Sequence, residues 1–361
     1  VLIDPEFNRY SDQAPSLLRR NVDTFLEQNA LDRAELERAS LRPFKGHFDA
    51  FYVSTVARGL AGSKSDVDLI LVSYDASLDD AMLSNMLFHG GRRVGVKVIK
   101  HTELNQALLT LREISGRIAL RSFVDVVEER KRVQVDWQDL ERLINGISFN
   151  SGAQYLTYLP DLCRVTAVAM LQEFYRQVGF VRLATSSHDF PAAAAYAYVA
   201  VISAMDAVMA TCGRVQSNSK WTLERWHHFV PSVHTPRVLG AIARITRARE
   251  ALQPFIEASG AALLAPLMEL QDYISAEFVP TSQTGVVKLC LSDGTHRTPF
   301  LPGADSVGSS RMMAIVDSAV LDAIETPASL DATVADGEIA RHALQLLQVN
   351  ILSCKLVEAA A

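Results

Sequence analysis

Cysteine is scarce in this chain: four in 361 residues, Cys163, Cys212, Cys290 and Cys354, all far apart. No Cys-x-x-Cys and no His/Cys spacing suited to zinc occurs, and nothing indicates a disulfide framework. The thiols read as core residues of a reducing compartment. An excess of basic residues is missing too. The 35 Lys and Arg stand against 41 Asp and Glu, a net charge of −6. A general nucleic-acid binder needs a basic surface to meet the phosphate backbone, so the balance argues against that class and leaves room only for a local basic groove. There is no Walker loop, no Gly-x-Ser-x-Gly elbow, no dinucleotide fingerprint and no repeat of solenoid period. No basic segment leads into an apolar stretch at the start, so no signal peptide and a cytoplasmic location are expected. The most apolar window, Pro191 to Thr211, has the length of a membrane span. It contains Asp206 and many alanines, and reads instead as a buried core helix.

What is present suffices for a full core: 49% of residues are hydrophobic and 21% charged, in a chain long enough for two domains. The first 14 residues read as an irregular arm. Apolar residues then recur at helical spacing from Ser16 to Ser40, with an interruption near Asn29. Phe48 to Thr55, Val67 to Ser73 and Arg92 to Lys100 read as strands. Ser77 to Phe88 is predicted as a helix capped by Ser77, and a second helix runs from Thr102 through Leu111. Residues 117 to 137 read as a hairpin, with a helix starting at Asp139.

Residues 51 to 72 organise the rest. Asp66 and Asp68 stand one residue apart at the start of the apolar run Leu69 to Val72. On a strand, residues i and i+2 share a face, so the two carboxylates project together with Val67 behind them. Two carboxylates on a rigid strand make a hard-oxygen site suited to Mg²⁺ together with phosphates. Ahead of them, Ser54, Thr55 and Gly59 leave room for a phosphate near the backbone, and Arg58 adds a cationic fork.

The order Ser54-Thr55-Val56-Ala57-Arg58-Gly59, a spacer, then Ser65-Asp66-Val67-Asp68-Leu69 resembles the signature of the nucleotidyltransferase superfamily with the DNA-polymerase-beta-like fold. The family's first glycine is Ser54 here. The resemblance implies an α+β protein: a mixed-sheet nucleotidyltransferase domain over 1–150, then an all-helical domain over 151–361. It implies Mg²⁺ on Asp66 and Asp68, and a nucleoside triphosphate, ATP first among them. Ser54, Thr55, Arg58 and Ser65 would meet its phosphates or orient the turn. The acceptor of the nucleoside monophosphate would be a small molecule or a protein, with neither nucleic acid nor membrane as partner. A cyclic-dinucleotide or oligonucleotide synthase and a catalytically inactive scaffold remain as alternatives.

Active members carry a third carboxylate on a later strand. Three positions compete for it: Val96-Lys97-Val98, where a lysine would replace the acid; Asp125, in Phe-Val-Asp-Val-Val; and Asp136, in Val-Gln-Val-Asp-Trp, which is favoured because a helix follows it directly.

Beyond Ser148 to Gly152 the pattern changes to long helices, over Tyr155 to Val178, Ala192 to Thr211, Arg237 to Leu252, Phe255 to Phe278 and Ala335 to Val357. The one strand expected there is Gly285 to Leu291. Lys220-Trp221, at a helix start, is similar to a segment that faces the cleft in small nucleotidyltransferases, so Lys220 is a candidate phosphate contact, and a helix N-terminus favours anions. His227 and His228 are adjacent on a helix and face different ways, which argues against a shared metal. Residues 281 to 311 form a polar stretch expected to be a loop over the cleft, offering His296, Arg297 or Arg311 to a substrate. Pro327 to Val334 reads as another loop.

Overall fold

The computed structural model describes residues 3–75, 84–150, 152–216, 218–252, 260–278, 286–292, 294–308, 312–325 and 330–357. The fold is α+β: a mixed five-stranded sheet followed by a helical region.

Helices α1 (Glu6–Gln28) and α2 (Arg33–Leu41) lead into β1 (Phe48–Tyr52), the short α3 (Ser54–Arg58) and β2 (Val67–Ser73). After them come β3 (Ser84–His89), β4 (Arg92–Lys100), α4 (His101–Ala119), α5 (Val126–Arg130), α6 (Trp137–Ile144) and β5 (Ile147–Ser148). The strands lie in the order β3-β4-β2-β1-β5, with β2 and β4 parallel and the other pairs antiparallel.

Period-2 alternation dictates the layering. Val67, Leu69 and Leu71 join Val94, Val96 and Val98 of β4 on one face, against Leu18, Val22 and Phe25 of α1. Ile70, Val72 and Ile99 face the other way, against Leu104, Leu108 and Leu111 of α4 and against Leu162 and Val165 of a later helix. That helix, α7 (Leu159–Ser186), carries the core across from the sheet into the helical region, where its second half packs against α8 (Phe190–Thr211) through Phe174, Val178 and Val181. The apolar run that α8 contains is long enough to cross a membrane, and 72% of it is buried in the fold. Then come α9 (Thr222–Phe229), α10 (Pro236–Glu250) and α11 (Gly260–Glu277).

Several elements differ from the sequence reading. The supposed arm belongs to the fold: α1 starts at Glu6, and Asp4 is buried, with Arg237 Nη2 at 2.7 Å. Of the helix expected over Ser77 to Phe88, residues 77–83 lie outside the described residues, and the rest is edge strand β3. No hairpin forms over 117–137, because α4 runs on to Ala119 and two short helices follow. The expected helix over Ala335 to Val357 splits into α14 (Gly337–Gln348) and a strand, Leu352–Val357. The break falls at Asn350, whose φ of 59° is left-handed and cannot continue a helix.

The polar stretch after 281 is mostly sheet. Strands β6 (Val286–Leu291), β7 (His296–Leu301), β8 (Ala304–Gly308) and β9 (Met313–Asp317) cross it, and helices α12 (Ser318–Glu325) and α13 (Leu330–Ala335) and strand β10 (Leu352–Val357) complete the chain. Gly303, at φ 81°, sits in the turn between β7 and β8, a conformation that L side chains resist. Arg297 is held within this sheet by Asp305, with Nε to Oδ2 at 2.6 Å, and also reaches Asp322; Arg311 is outside the described residues.

One buried ion pair fixes the connection from α8 to α9. Arg225 Nη1 donates to Asp206 Oδ1 at 2.9 Å, and Thr222 Oγ1 donates to Asp206 Oδ2 at 2.9 Å. The same guanidinium donates to the carbonyl of Arg214. Burial raises the Asp206 pKa and lowers that of Arg225, so each charge depends on the other for its compensation. Arg225→Met, which leaves Asp206 uncompensated, should cost about 3–5 kcal/mol in urea denaturation. Adding Asp206→Leu should recover a large part of that loss, since no buried charge then remains.

Candidate functional site

The turn after β1 is built around Ser54. Its φ of 60° is left-handed, a conformation natural to glycine and strained for other residues. The turn therefore has a backbone that glycine adopts freely, and it carries a serine hydroxyl there. The Val53 amide donates to the Asp68 carbonyl at 3.1 Å, which ties the turn to β2. After one helical turn the chain reverses at Gly59, φ 73°, beside Asn21 of α1. Asn21 Nδ2 donates to the Ala57 carbonyl at 2.9 Å. A second tight turn, with the Gly62 amide donating to Ser65 Oγ at 3.0 Å, delivers the chain to Asp66.

Asp68 lies on the face of β2 that Ile70 and Val72 continue into the core, and Asp66 immediately precedes the strand. Val67 lies behind them, fully buried. Opposite Asp68 in the parallel register is Gly95, where an added Cβ would stand 3.4 Å from Asp68 Oδ1, so the missing side chain leaves that carboxylate open. Arg93 Nε is 4.0 Å from Asp66 Oδ2 across a solvent-exposed gap.

Arg58 turns away from solvent. Its guanidinium pairs with Glu141 of α6 and donates to the Val215 carbonyl, so one side chain joins the signature turn, α6 and the segment after α8. Burial pulls its pKa down to about 9, leaving it protonated at neutral pH.

Helix α6 supplies residues that motif reading misses. Gln138, Glu141 and Arg142 have the i, i+3, i+4 spacing of one helix face and line the same cavity as the aspartates. No motif announces them; only the helical spacing, once α6 is known, groups them.

The cavity, about 270 Å³, is lined by Ser54, Thr55, Arg58, Ser65, Asp66, Asp68 and Lys220, together with Lys64, those three α6 residues, Gln216, Asn218 and Trp221. Lys220 arrives from the far side: Asn218 Oδ1 accepts from its amide at 3.2 Å, and its ammonium lies 5.2 Å from the Trp221 ring.

The candidates for a third acid are placed differently from the sequence reading. Asp125 and Asp136 are on no strand. Asp125 caps α5, accepting from Val127 N at 3.0 Å and Glu128 N at 3.3 Å. Asp136 caps α6, accepting from Gln138 N at 2.8 Å and Asp139 N at 3.3 Å, and does not line the cavity. Each is followed by an acid at the third helical position, a helix-start signal that outweighs the alternation of valines around it. Lys97 is on β4, paired in register with Ile70 and ion-paired to Asp139. The third carboxylate of the cavity is Glu141, and it is engaged by Arg58.

The donor set has two hard carboxylates, Asp68 on β2 and Asp66 just before it, with hydroxyls nearby. Among the described residues no group of three or more His, Cys, Asp or Glu gathers as a metal cage. Such a pair fits Mg²⁺, which keeps several waters and takes substrate phosphates as partners, better than a metal that needs a full protein shell.

Fold and site together define a class: an α+β protein whose cleft sets two aspartates at the start of a strand against lysines from a neighbouring turn and from the helical region. The chain belongs to a family of unknown function, DUF6001, which it matches over residues 11–352. No curated protein matches it. Among solved structures it is similar to a nucleotidyltransferase-like protein from Exiguobacterium sibiricum, 13% identical, covering 69% of this chain and 75% of that one, with a TM-score of 0.36.

Three variants test the local geometry. Ser54→Gly should hold stability or raise it by up to about 1 kcal/mol, and Ser54→Val should lose about 2 kcal/mol, because a β-branched residue resists positive φ. Asp136→Ala should cost about 1 kcal/mol, the usual loss of a helix cap. All three are read from urea denaturation midpoints at constant m-value.

Proposed function

We propose that the chain is a Mg²⁺-dependent nucleotidyltransferase that moves a nucleoside monophosphate from a nucleoside triphosphate, ATP first among them, to a small-molecule or protein acceptor. The observation that carries this reading is the convergence of the signature turn, Asp66 and Asp68 with Lys220, which lies 152 residues after Asp68 in sequence, on one cavity.

In this reading Asp66 and Asp68 hold Mg²⁺, which neutralises charge on the triphosphate. The backbone at Ser54 and Thr55, with the Thr55 and Ser65 hydroxyls, cradles phosphate oxygens. Lys64 and Lys220, both on the cavity wall, offset charge on the departing pyrophosphate. Arg58 is a positioning residue, since its guanidinium is spent on Glu141 and Val215. The acceptor oxygen bonds to the α-phosphorus, the bond from that phosphorus to the β-bridging oxygen breaks, pyrophosphate leaves with the electron pair, and the acceptor's proton passes to water.

A second reading has a specific observation in its favour. Lys97, on the strand beside Asp68, is ion-paired to Asp139, and that strand contributes no acid to the cavity. A protein that binds nucleotide and Mg²⁺ without turnover would look the same there.

Calorimetric titration of the four ribonucleoside triphosphates, with and without Mg²⁺, separates these outcomes. The transferase reading expects metal-dependent binding that weakens at least tenfold in Asp66→Asn/Asp68→Asn, and pyrophosphate release once the acceptor is supplied. Binding without release under any acceptor supports the second reading. No binding by the folded wild type sinks both.

A further inference from the structure

A second cavity, about 470 Å³, adjoins the first and shares Gln216, Asn218 and Lys220 with it as a common wall. The start of α6 divides the two: Gln138 lines the first and Trp137 the second. The second cavity is mostly apolar. Met170 of α7, Tyr198, Val199 and Ile202 of α8, and Trp137 wall it. Tyr198 and Val199 are 47% and 40% exposed, beside the buried Ala197, Ala200 and Val201 of the same helix, so this stretch of α8 meets the cavity rather than protein.

Three polar groups in this apolar setting have unmet bonding. Thr166 is only 6% exposed, and its hydroxyl has no partner. The Gln216 side-chain oxygen, in the shared wall, is likewise unpartnered. The Arg130 guanidinium stacks 4.3 Å over the Trp137 ring, its Nε is buried without a hydrogen bond, and among the described residues no carboxylate pairs with it. Burial lowers its pKa to about 10, which leaves it a cation at neutral pH. Asp206, also in the wall, is already compensated by Arg225 and Thr222. Buried polar groups normally find partners, and three orphans around one cavity mark what a ligand would bring. An unpaired guanidinium calls for a planar anion that it can grip through two N–H groups.

We propose that this cavity is the acceptor subsite of the transferase and takes a small hydroxy acid with an apolar or aromatic body, its carboxylate on Arg130 and its hydroxyl on the Gln216 side-chain oxygen. The identification as acceptor rests on the transferase reading; the ligand chemistry rests on the cavity alone. Arg130 and Thr166 read the carboxylate end, the α8 wall takes the apolar body, and Gln216 turns the hydroxyl toward the aspartates. The transfer is the one balanced above: the hydroxyl oxygen bonds to the α-phosphorus, pyrophosphate leaves with the electron pair, and the hydroxyl proton goes to water.

The test begins without nucleotide. Phenyllactate, indole-3-lactate, 4-hydroxyphenylacetate and 2-hydroxyisocaproate are titrated calorimetrically into the full chain, each beside its methyl ester. At least one acid should bind, its ester at least tenfold more weakly. Arg130→Met should weaken the acid at least tenfold and leave the ester unchanged. Val199→Trp, at an exposed position, should fill the cavity and block the acid while nucleotide binding in the first cavity persists; it keeps the test decisive should Arg130→Met not fold. Failure of all four acids to bind at millimolar concentration overturns the proposal, as does equal binding of acid and ester. If an acid binds as expected but no triphosphate releases pyrophosphate in its presence, the subsite chemistry stands and the transferase reading fails.

Discussion

The buried guanidinium of Arg58 is the constraint on which the site depends. It leaves the signature turn, meets Glu141 on α6 and reaches the Val215 carbonyl in the segment after α8. Three stretches far apart in sequence are thereby held around one cavity. Desolvation works against the charge, as the lowered pKa shows, and only a counter-charge as deeply buried as Glu141, 1% exposed, makes the arrangement tolerable. An ion pair of this kind contributes little net stability. It contributes geometry, because removing either partner leaves the other uncompensated and releases the wall that carries Gln216 and Lys220.

The second determinant is the change of character along one face of β2. Asp68, with Asp66 just before the strand, is followed on the same face by Ile70 and Val72, so the carboxylates sit where the core ends and are aimed by a strand that cannot rotate without exposing its aliphatic half. Gly95 opposite Asp68 keeps the approach clear, and Lys97, one step further in, is turned to Asp139. The strand beside the aspartates thus offers a cation in place of an acid, and the acid of α6 that does reach the cavity is spoken for. In the function proposed, a divalent ion on Asp66 and Asp68 would take its remaining oxygen ligands from the substrate.

How legible this was depended on the range of the interactions. The alternation of Val67 to Val72 and of Arg92 to Lys100 reads directly as two strands, because both faces of a central sheet demand apolar residues. The run Phe123-Val124-Asp125-Val126-Val127 carries the same β-branched signal and is no strand: Asp125 caps a helix, and Val124 and Val126 are buried among α4 and α7 instead of pairing. Strand propensity reports burial on a pleated surface and yields where a helix supplies that surface. Of the strands after residue 281, Val286–Leu291 reads from its apolar run, as expected. Those that follow do not: His296–Leu301 is short and exposed, and the turn at Gly303 is the local sign of its pairing.

The sequence by itself determined the chemistry of the turn and of β2: two carboxylates at the start of the strand, small residues before them, and Arg58 at the end of α3. Each is a local consequence of residue type and of the period of a strand or a helical turn. It also determined that α8 is a core helix, because an apolar run holding an aspartate needs a buried partner such as Arg225. Only the tertiary structure decided what shares the cavity. Glu141, Gln216 and Lys220 reach it through contacts between elements 73 to 154 residues from Asp66 and Asp68, made by buried charges that pair across the fold. Such pairings depend on how helices dock, and docking is set by the summed burial of many apolar side chains, a quantity that no short motif encodes.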